Sequence, residues 1–236
     1  MKPRKPPRPF VTANFAITWD GRVSTREHTP ADFSSKRDKR RLSEIRATAD
    51  AVLVGASTIA ADKMTMGISD PALRAERVKR KQSPYPLRVI VSNTGRISPT
   101  LRVFDKDFSS IVIFSTTRMN QRTRATLAAK ADLWLHESRT VNLTAVLATL
   151  RAEYRVHRIV CEGGPRLFRA MLAEQLVDEI HLTLCPRVFA GTGALTLTGL
   201  VGESLPATAQ CRLREMEVIE GECFLRYRVS QQRSAA

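Results

Sequence analysis

The sequence predicts an α/β fold, with a mostly parallel central sheet, helices on both faces and an antiparallel edge at the carboxyl end. Three observations predict it. Short apolar runs alternate with helical patterns over six units. Runs such as AVLVG at 51–55 are apolar at consecutive positions, as strands covered on both faces are. Beyond residue 178 the alternation gives way to strands with little helix between them, the signature of an antiparallel edge.

Taken in order, residues 1–9 hold four prolines and four basic side chains, a composition that favours an extended leader. A single domain is expected over 10–230, with 231–236 as a tail. Phe10 to Ile17 reads as the first strand. Ser35 to Thr48 reads as a helix, because Leu42, Ile45 and Ala49 recur at helical spacing opposite a polar face. Ala51 to Gly55 is a short buried strand, followed by what reads as a small-residue loop, Gly55-Ala56-Ser57-Thr58. Arg88 to Ser92, Ile111 to Ser115, Asp132 to Leu135 and Arg158 to Cys161 read as strands; Asn120 to Lys130, Leu143 to Tyr154 and Pro165 to Ala173 read as helices. Glu179 to Leu184, Cys211 to Glu217 and Glu222 to Val229 complete the set as strands, with a Glu220-Gly221 turn before the last. No internal repeat and no linker divides the chain.

Composition narrows the function. The 236 residues are 43% hydrophobic and 26% charged, ordinary for a globular domain, and no apolar run has the length of a membrane span. The unusual feature is an excess of 38 Lys+Arg over 23 Asp+Glu, a formal charge of +15. Basic residues gather in three runs: the leader, Lys36 to Arg41, and Arg74 to Lys81. None is interleaved with the aromatics that stack bases, so the runs read as solvated charge and specific nucleic-acid binding is disfavoured. Cys161, Cys185, Cys211 and Cys223 form no CxxC pair, and His28, His136, His157 and His181 have no second ligand at metal spacing, so no metal site is expected. Buried free thiols and a basic N-terminus without an apolar h-region point to a cytoplasmic setting.

Ligands of open α/β sheets bind beyond the carboxyl ends of the strands, which directs attention to three loops. Thr18-Trp19-Asp20-Gly21 is a turn in which Asp20 reads as structural. Gly55 to Thr58, with Asp62 beyond it, follows a buried strand. Cys161-Glu162-Gly163-Gly164-Pro165 runs a strand into two glycines and then a helix start, where backbone can approach a ligand closely and free N–H groups can meet a phosphate. Glu162, a carboxylate ending an apolar strand, must be hydrogen-bonded or face a pocket. There is no GxSxG elbow and no GxxxxGK[ST] loop.

The series Arg8-Pro9-Phe10-Val11 to Thr18-Trp19-Asp20-Gly21, Ile45-Arg46-Ala47, Asp50 to Gly55 with Thr58 and Asp62, Glu162-Gly163-Gly164-Pro165, Leu176 to Glu179 and Cys185-Pro186 resembles the reductase domain of bacterial riboflavin biosynthesis. The likeness covers residues 8–229. It implies a dihydrofolate-reductase-like fold, a homodimer, and NADPH-dependent hydride transfer to 5-amino-6-(5-phosphoribosylamino)uracil, without the zinc deaminase domain that bifunctional relatives carry. Position by position, the resemblance implies that Ile17, Phe33, Thr58, Asp62, Ser92 and Asn93 touch the cofactor. It likewise implies that Gly163, Gly164, Pro165 and Leu167 form its pyrophosphate cradle, and that Arg46, Glu162 and Met66 touch substrate. Two positions depart from the family pattern. Ser69 stands where an arginine is expected to hold the substrate phosphate, a charge for which Lys63 or a basic residue among Arg74 to Lys81 is the candidate replacement, and Ala31 stands where a serine is expected.

The leading expectation is therefore an NADPH-dependent reductase of a small heterocycle. No side chain compels assignment as a general acid, and the chemistry rests on orientation. NADPH is favoured over NADH because Ser92, Asn93, Arg96 and Ser115 to Arg118 offer donors for a 2′-phosphate. A second reading keeps fold and cofactor and takes a pterin such as dihydrofolate as substrate, prompted by Ser69. A third is non-catalytic nucleic-acid binding driven by charge.

Overall fold

The computed structural model describes residues 7–24, 33–105, 108–191, 193–199 and 204–230. The expected positions His28 and Ala31, most of the leader and the tail lie outside the described residues. A nine-stranded sheet runs in the order β5-β4-β3-β2-β6-β1-β7-β9-β8. The strands are β1 (Phe10–Thr18), β2 (Ala51–Gly55), β3 (Leu87–Ser92), β4 (Ile111–Thr116), β5 (Asp132–His136), β6 (Arg158–Cys161), β7 (Glu179–Cys185), β8 (Gln210–Ile219) and β9 (Glu222–Ser230). β5 through β7 in that order are mutually parallel; β9 joins β7 antiparallel and β8 closes the edge antiparallel.

Because successive strand residues point to opposite faces, the apolar runs feed two cores. Ala51 and Leu53 join Val89, Val112, Ile159 and Cys161 on one face, under α5 (Leu143–Glu153) and α6 (Pro165–Ala173). Val52 and Val54 join Ile90, Ile113 and Val160 on the other, under α1 (Lys36–Thr48), α2 (Ala56–Asp62) and α4 (Gln121–Ala128). Burial of one such aliphatic side chain contributes roughly 1.5–3 kcal/mol, which is why consecutive apolar residues are used in every central strand.

Three sequence readings are corrected here. Residues 56–58, expected as loop, open helix α2; a two-turn helix of small residues leaves too little apolar periodicity to read. A helix α3 (Pro71–Lys79) lies where only a charge run was read. Asp70 caps it by accepting the Ala72 N–H at 2.8 Å, and Pro71 occupies its first turn. Nor is that run wholly solvated. Arg77 is buried, its Nη1 donating to the carbonyls of Ala47 (3.1 Å) and Ala49, and its Nε to Ser83 O (2.8 Å). A guanidinium there meets the unpaired carbonyls and negative dipole end of α1.

The first residues described are already held. Arg8 forms a bidentate pair with Asp178 (2.7 and 2.9 Å), whose Oδ2 also accepts the Val11 N–H. Among the described residues no helix is long and apolar enough to cross a membrane, and no group of three His, Cys, Asp or Glu gathers to hold a metal.

Candidate functional site

The sheet order brings the carboxyl ends of β2, β6 and β1 side by side at its centre. The Gly55 N–H donates to Gly163 O at 2.7 Å and the Glu162 N–H to Leu53 O at 3.0 Å, which locks the turn after β6 onto the end of β2. The Gly163–Gly164 peptide is cis, and Gly163 has φ +88. Both positions exclude a side chain: a Cβ on Gly163 would fall 2.7 Å from the Phe15 ring, and one on Gly164 2.5 Å from Thr58 Oγ1. The starts of α2 and α6 thus abut at backbone distance.

Helix caps distinguish this place from the rest of the molecule. Ser35 caps α1, Asp70 caps α3, Asn120 caps α4 and Asn142 caps α5, each accepting a first-turn N–H. The two helices without a side-chain cap are α2, preceded by Gly55, and α6, preceded by Gly164. Among the described residues, four of six α-helix starts carry a side-chain cap, and the two that do not adjoin. First-turn N–H groups left without an internal acceptor, at the positive end of the helix dipole, suit an anion. Neither residue preceding these helices carries a side chain, and Thr58 Oγ1 lies against Gly164.

Glu162 and Arg46 form the polar anchor beside this cradle. Arg46 Nε and Nη2 grip the two carboxylate oxygens at 2.6 and 2.7 Å, and Nη1 donates to Gly67 O at 2.7 Å. Both side chains are nearly inaccessible, at 10% and 5%. Burial works against the Arg46 charge, and the Glu162 carboxylate more than offsets it, so the guanidinium pKa is raised. Asp62, ending α2, has its carboxyl pushed up by burial and then by the charge of Glu162.

The other expected residues fall in distinct surroundings. Thr58 is in the first turn of α2 against Gly164, and Pro165 and Leu167 are in the first turn of α6. Ile17 is half-buried near the end of β1. Phe33 is buried and packs edge-on against Phe189 at 5.2 Å. Met66 is fully enclosed in the core beneath α1 and α2, so its side chain presents no surface to a ligand in this arrangement. Ser92 and Asn93 end β3, two strands from the glycine turn; Ser92 Oγ accepts the Gly95 N–H and Asn93 Oδ1 the Val141 N–H. Of the further donors expected there, Ser115 and Thr116 are wholly buried and donate to the carbonyls of Ser92 and Asn93. That part of the 2′-phosphate argument is therefore corrected: those two hydroxyls close a turn instead.

Asp20 accepts from Thr18 Oγ1 (2.6 Å) and from the backbone N–H of Phe189 and Ala190, tying the β1 loop to the segment after β7. The Thr18 bond chiefly lowers its pKa to about 2. Cys161 and Cys185 are buried thiols, both pushed up to about 12 by burial, and therefore inert as nucleophiles. Sequence reasoning pointed to the Gly55–Thr58 loop but not to its contact with the glycine turn, and to the basic residues of 74–81 without singling out Arg74, which donates to the 68 and 69 carbonyls. The signal for Arg74 was present: an Asp70-Pro71 helix start places it one turn in, turned back toward its own cap.

Comparison with known proteins identifies relatives over nearly the whole chain. The chain is 30% identical over 217 residues to the 2,5-diamino-6-ribosylamino-4(3H)-pyrimidinone 5′-phosphate reductase of Archaeoglobus fulgidus, covering 92% of this chain and 96% of that protein. It is 31% identical over 210 residues to the protein of the same name from Methanothermobacter thermautotrophicus, covering 89% and 92%. A solved pyrimidine reductase-like protein from Corynebacterium diphtheriae superimposes with a TM-score of 0.82 at 20% identity, over 95% of this chain and 93% of that one, and shares the fold. The model of the RibD C-terminal domain matches residues 9–225, and the chain belongs to that family of riboflavin-pathway oxidoreductases.

Proposed function

We propose that the chain is an NADPH-dependent reductase of a phosphoribosylamino-pyrimidine, acting on the 2,5-diamino-pyrimidinone phosphate of its archaeal relatives' names or on the aminouracil counterpart. The observation that carries the reading is the pair of adjoining uncapped helix starts around Gly163-Gly164. In this reading the α2 and α6 N–H groups hold the cofactor diphosphate, Thr58 and Leu167 flank it, and Ile17 and Phe33 wall the nicotinamide side. When bound, the cofactor would supply a hydride to C1 of the ring-opened ribosylamine, whose nitrogen would take a proton from water. The protein's own task is orientation, because a reacting pair held in near-attack geometry needs little further help. Glu162 retains lone pairs beyond those Arg46 engages, and these accept from the amino edge of a pyrimidine. Asn93, Arg96 and Arg118, at or after the ends of β3 and β4, are the donors for a 2′-phosphate.

The same reading includes a cytoplasmic homodimer. β8 exposes Leu213, Met216 and Val218. Because a bulge between Leu213 and Glu215 shifts the register, these three pair with Tyr227, Leu225 and Cys223 and so share one face of the edge hairpin, an apolar stripe that suits a second copy.

The test is a turnover assay with NADPH or NADH against the diamino-pyrimidinone phosphate, the aminouracil phosphate and dihydrofolate, following loss of reduced-nicotinamide absorbance. Turnover of a pyrimidine phosphate with preference for NADPH is expected. Turnover of dihydrofolate alone would replace the substrate assignment, and equal affinity for the two nicotinamides would remove the 2′-phosphate argument.

A further inference from the structure

Two arginines meet the same stretch of backbone, and they do so in the same way. Gly67, Ile68 and Ser69 present consecutive carbonyls. Arg46 donates from Nη1 to Gly67 O. Arg74 donates from Nη1 to Ile68 O at 2.8 Å and to Ser69 O at 2.7 Å. The difference lies at the other edge of each guanidinium. The Nε–Nη2 fork of Arg46 holds the Glu162 carboxylate. Both Nη1 hydrogens of Arg74 are engaged, while among the described residues its Nε and Nη2 hydrogens have no acceptor.

That open fork is held in place. The Arg74 guanidinium lies 5.4 Å over the Tyr85 ring, Tyr85 packs on Phe108 with centroids 4.3 Å apart, and a Cβ on Gly67 would fall 2.9 Å from Phe108. The stack therefore returns to the backbone segment that Arg46 also grips, and the two forks flank one short piece of chain. A planar, fixed pair of N–H donors is the group that matches a carboxylate or phosphate bidentately. Arg77 and Arg80, the other guanidinium groups of this segment, are turned to the end of α1, where they donate to Ala47 O.

We infer that Arg74 is a specificity-determining residue that receives the phosphate of the substrate on its open Nε–Nη2 fork. The inference rests on the proposed reductase reading, which supplies a phosphorylated substrate. It places the phosphate beside the 67–69 segment and the pyrimidine toward Glu162. It also explains how a chain with Ser69 at its place in the loop can hold an anion: the cation is delivered one helical turn later, by α3, and pinned by the Ser69 carbonyl.

The experiment compares kcat/KM for the phosphorylated pyrimidine and for the same compound lacking its phosphate, with NADPH saturating, in the parent chain, Arg74→Ala and Arg74→Lys. The parent is expected to prefer the phosphorylated compound. Arg74→Ala should lower kcat/KM for it by about 10–100-fold, chiefly through KM, and leave the unphosphorylated compound within about 2-fold. Arg74→Lys keeps a cation without the fork and should fall between. Ribose 5-phosphate should inhibit the parent competitively and Arg74→Ala more weakly by a similar factor. Equal losses on both compounds would mean that Arg74 only supports the loop, and would overturn the inference. So would an Arg74→Lys chain with undiminished preference, and so would unchanged discrimination in Arg74→Ala, should that variant fold; in each case the reductase reading would stand. A parent chain that turns over neither compound would remove the reductase reading and this inference with it.

Discussion

Helices α5 and α6 lie against the same face of the sheet and begin in opposite ways. Asn142 closes α5 by accepting the Ala145 N–H at 2.9 Å. Gly164 opens α6 with no side chain to offer, beside an equally bare Gly55 at the start of α2. One helix end is capped by a side chain of the chain itself, and the other is not. The proposed anion site rests on this contrast, because an end capped by its own side chain has fewer donors left to give.

The largest expected effect closes the open end. In Gly55→Asp the new Cβ meets Gly164 N at 3.6 Å and Gly163 O at 3.7 Å, ordinary contacts, while the carboxylate caps α2 and repels an anion. NADPH dissociation constants, measured by fluorescence titration, should rise about 10-fold, with stability unchanged or higher by ~0.3 kcal/mol. Undiminished NADPH affinity in that variant would break the comparison. Opening the closed end should do the reverse. Asn142→Ala is expected to lower urea-unfolding stability by about 1 kcal/mol and to leave NADPH affinity where it was.

The smallest effect sharpens the same contrast through pH. Asp62 ends the open helix α2 with a carboxyl raised above 3.8 by burial and by Glu162. A raised carboxyl contributes stability below its unfolded value and loses it as pH climbs through the folded one. Asp62→Asn should therefore raise the melting temperature slightly at neutral pH, the gain vanishing below about pH 4. Asp20 is the opposite case, held at about 2 mainly by Thr18. Its contribution is present above the unfolded value near 3.8 and is lost as pH falls through the folded one. Asp20→Asn should lower the melting temperature at neutral pH, with the difference closing toward pH 2.

The central strands were legible because they are runs of mostly buried apolar residues, and Ala51–Gly55 and Arg158–Cys161 fall where the pattern put them. Helix α3 was not, since its inward residue is Arg77, and periodicity analysis counts arginine as a solvent residue wherever it falls. The same blindness hid Arg88, buried and donating to a backbone carbonyl, while Arg46, equally buried, was singled out only by the family resemblance. The glycine turn and the Gly55–Thr58 loop were each legible as motifs, but their contact was not, because only the folded sheet sets β2 beside β6. Hydroxyls misled in the other direction: Ser115 and Thr116 read as ligand donors and instead fasten β4 to the turn after β3.

The position of β1 carries a consequence for how this molecule is made. It is the first strand of this fold in chain order, yet both its neighbours, β6 and β7, come much later in the chain, and Arg8 waits for a carboxylate 170 residues further on. Strands β2 to β5 pair in sequence order and can assemble as they emerge; β1 cannot. Such long-range closure is slow and leaves apolar surface uncovered meanwhile. Nascent chains halted before residue 178 should therefore be the ones that occupy chaperones.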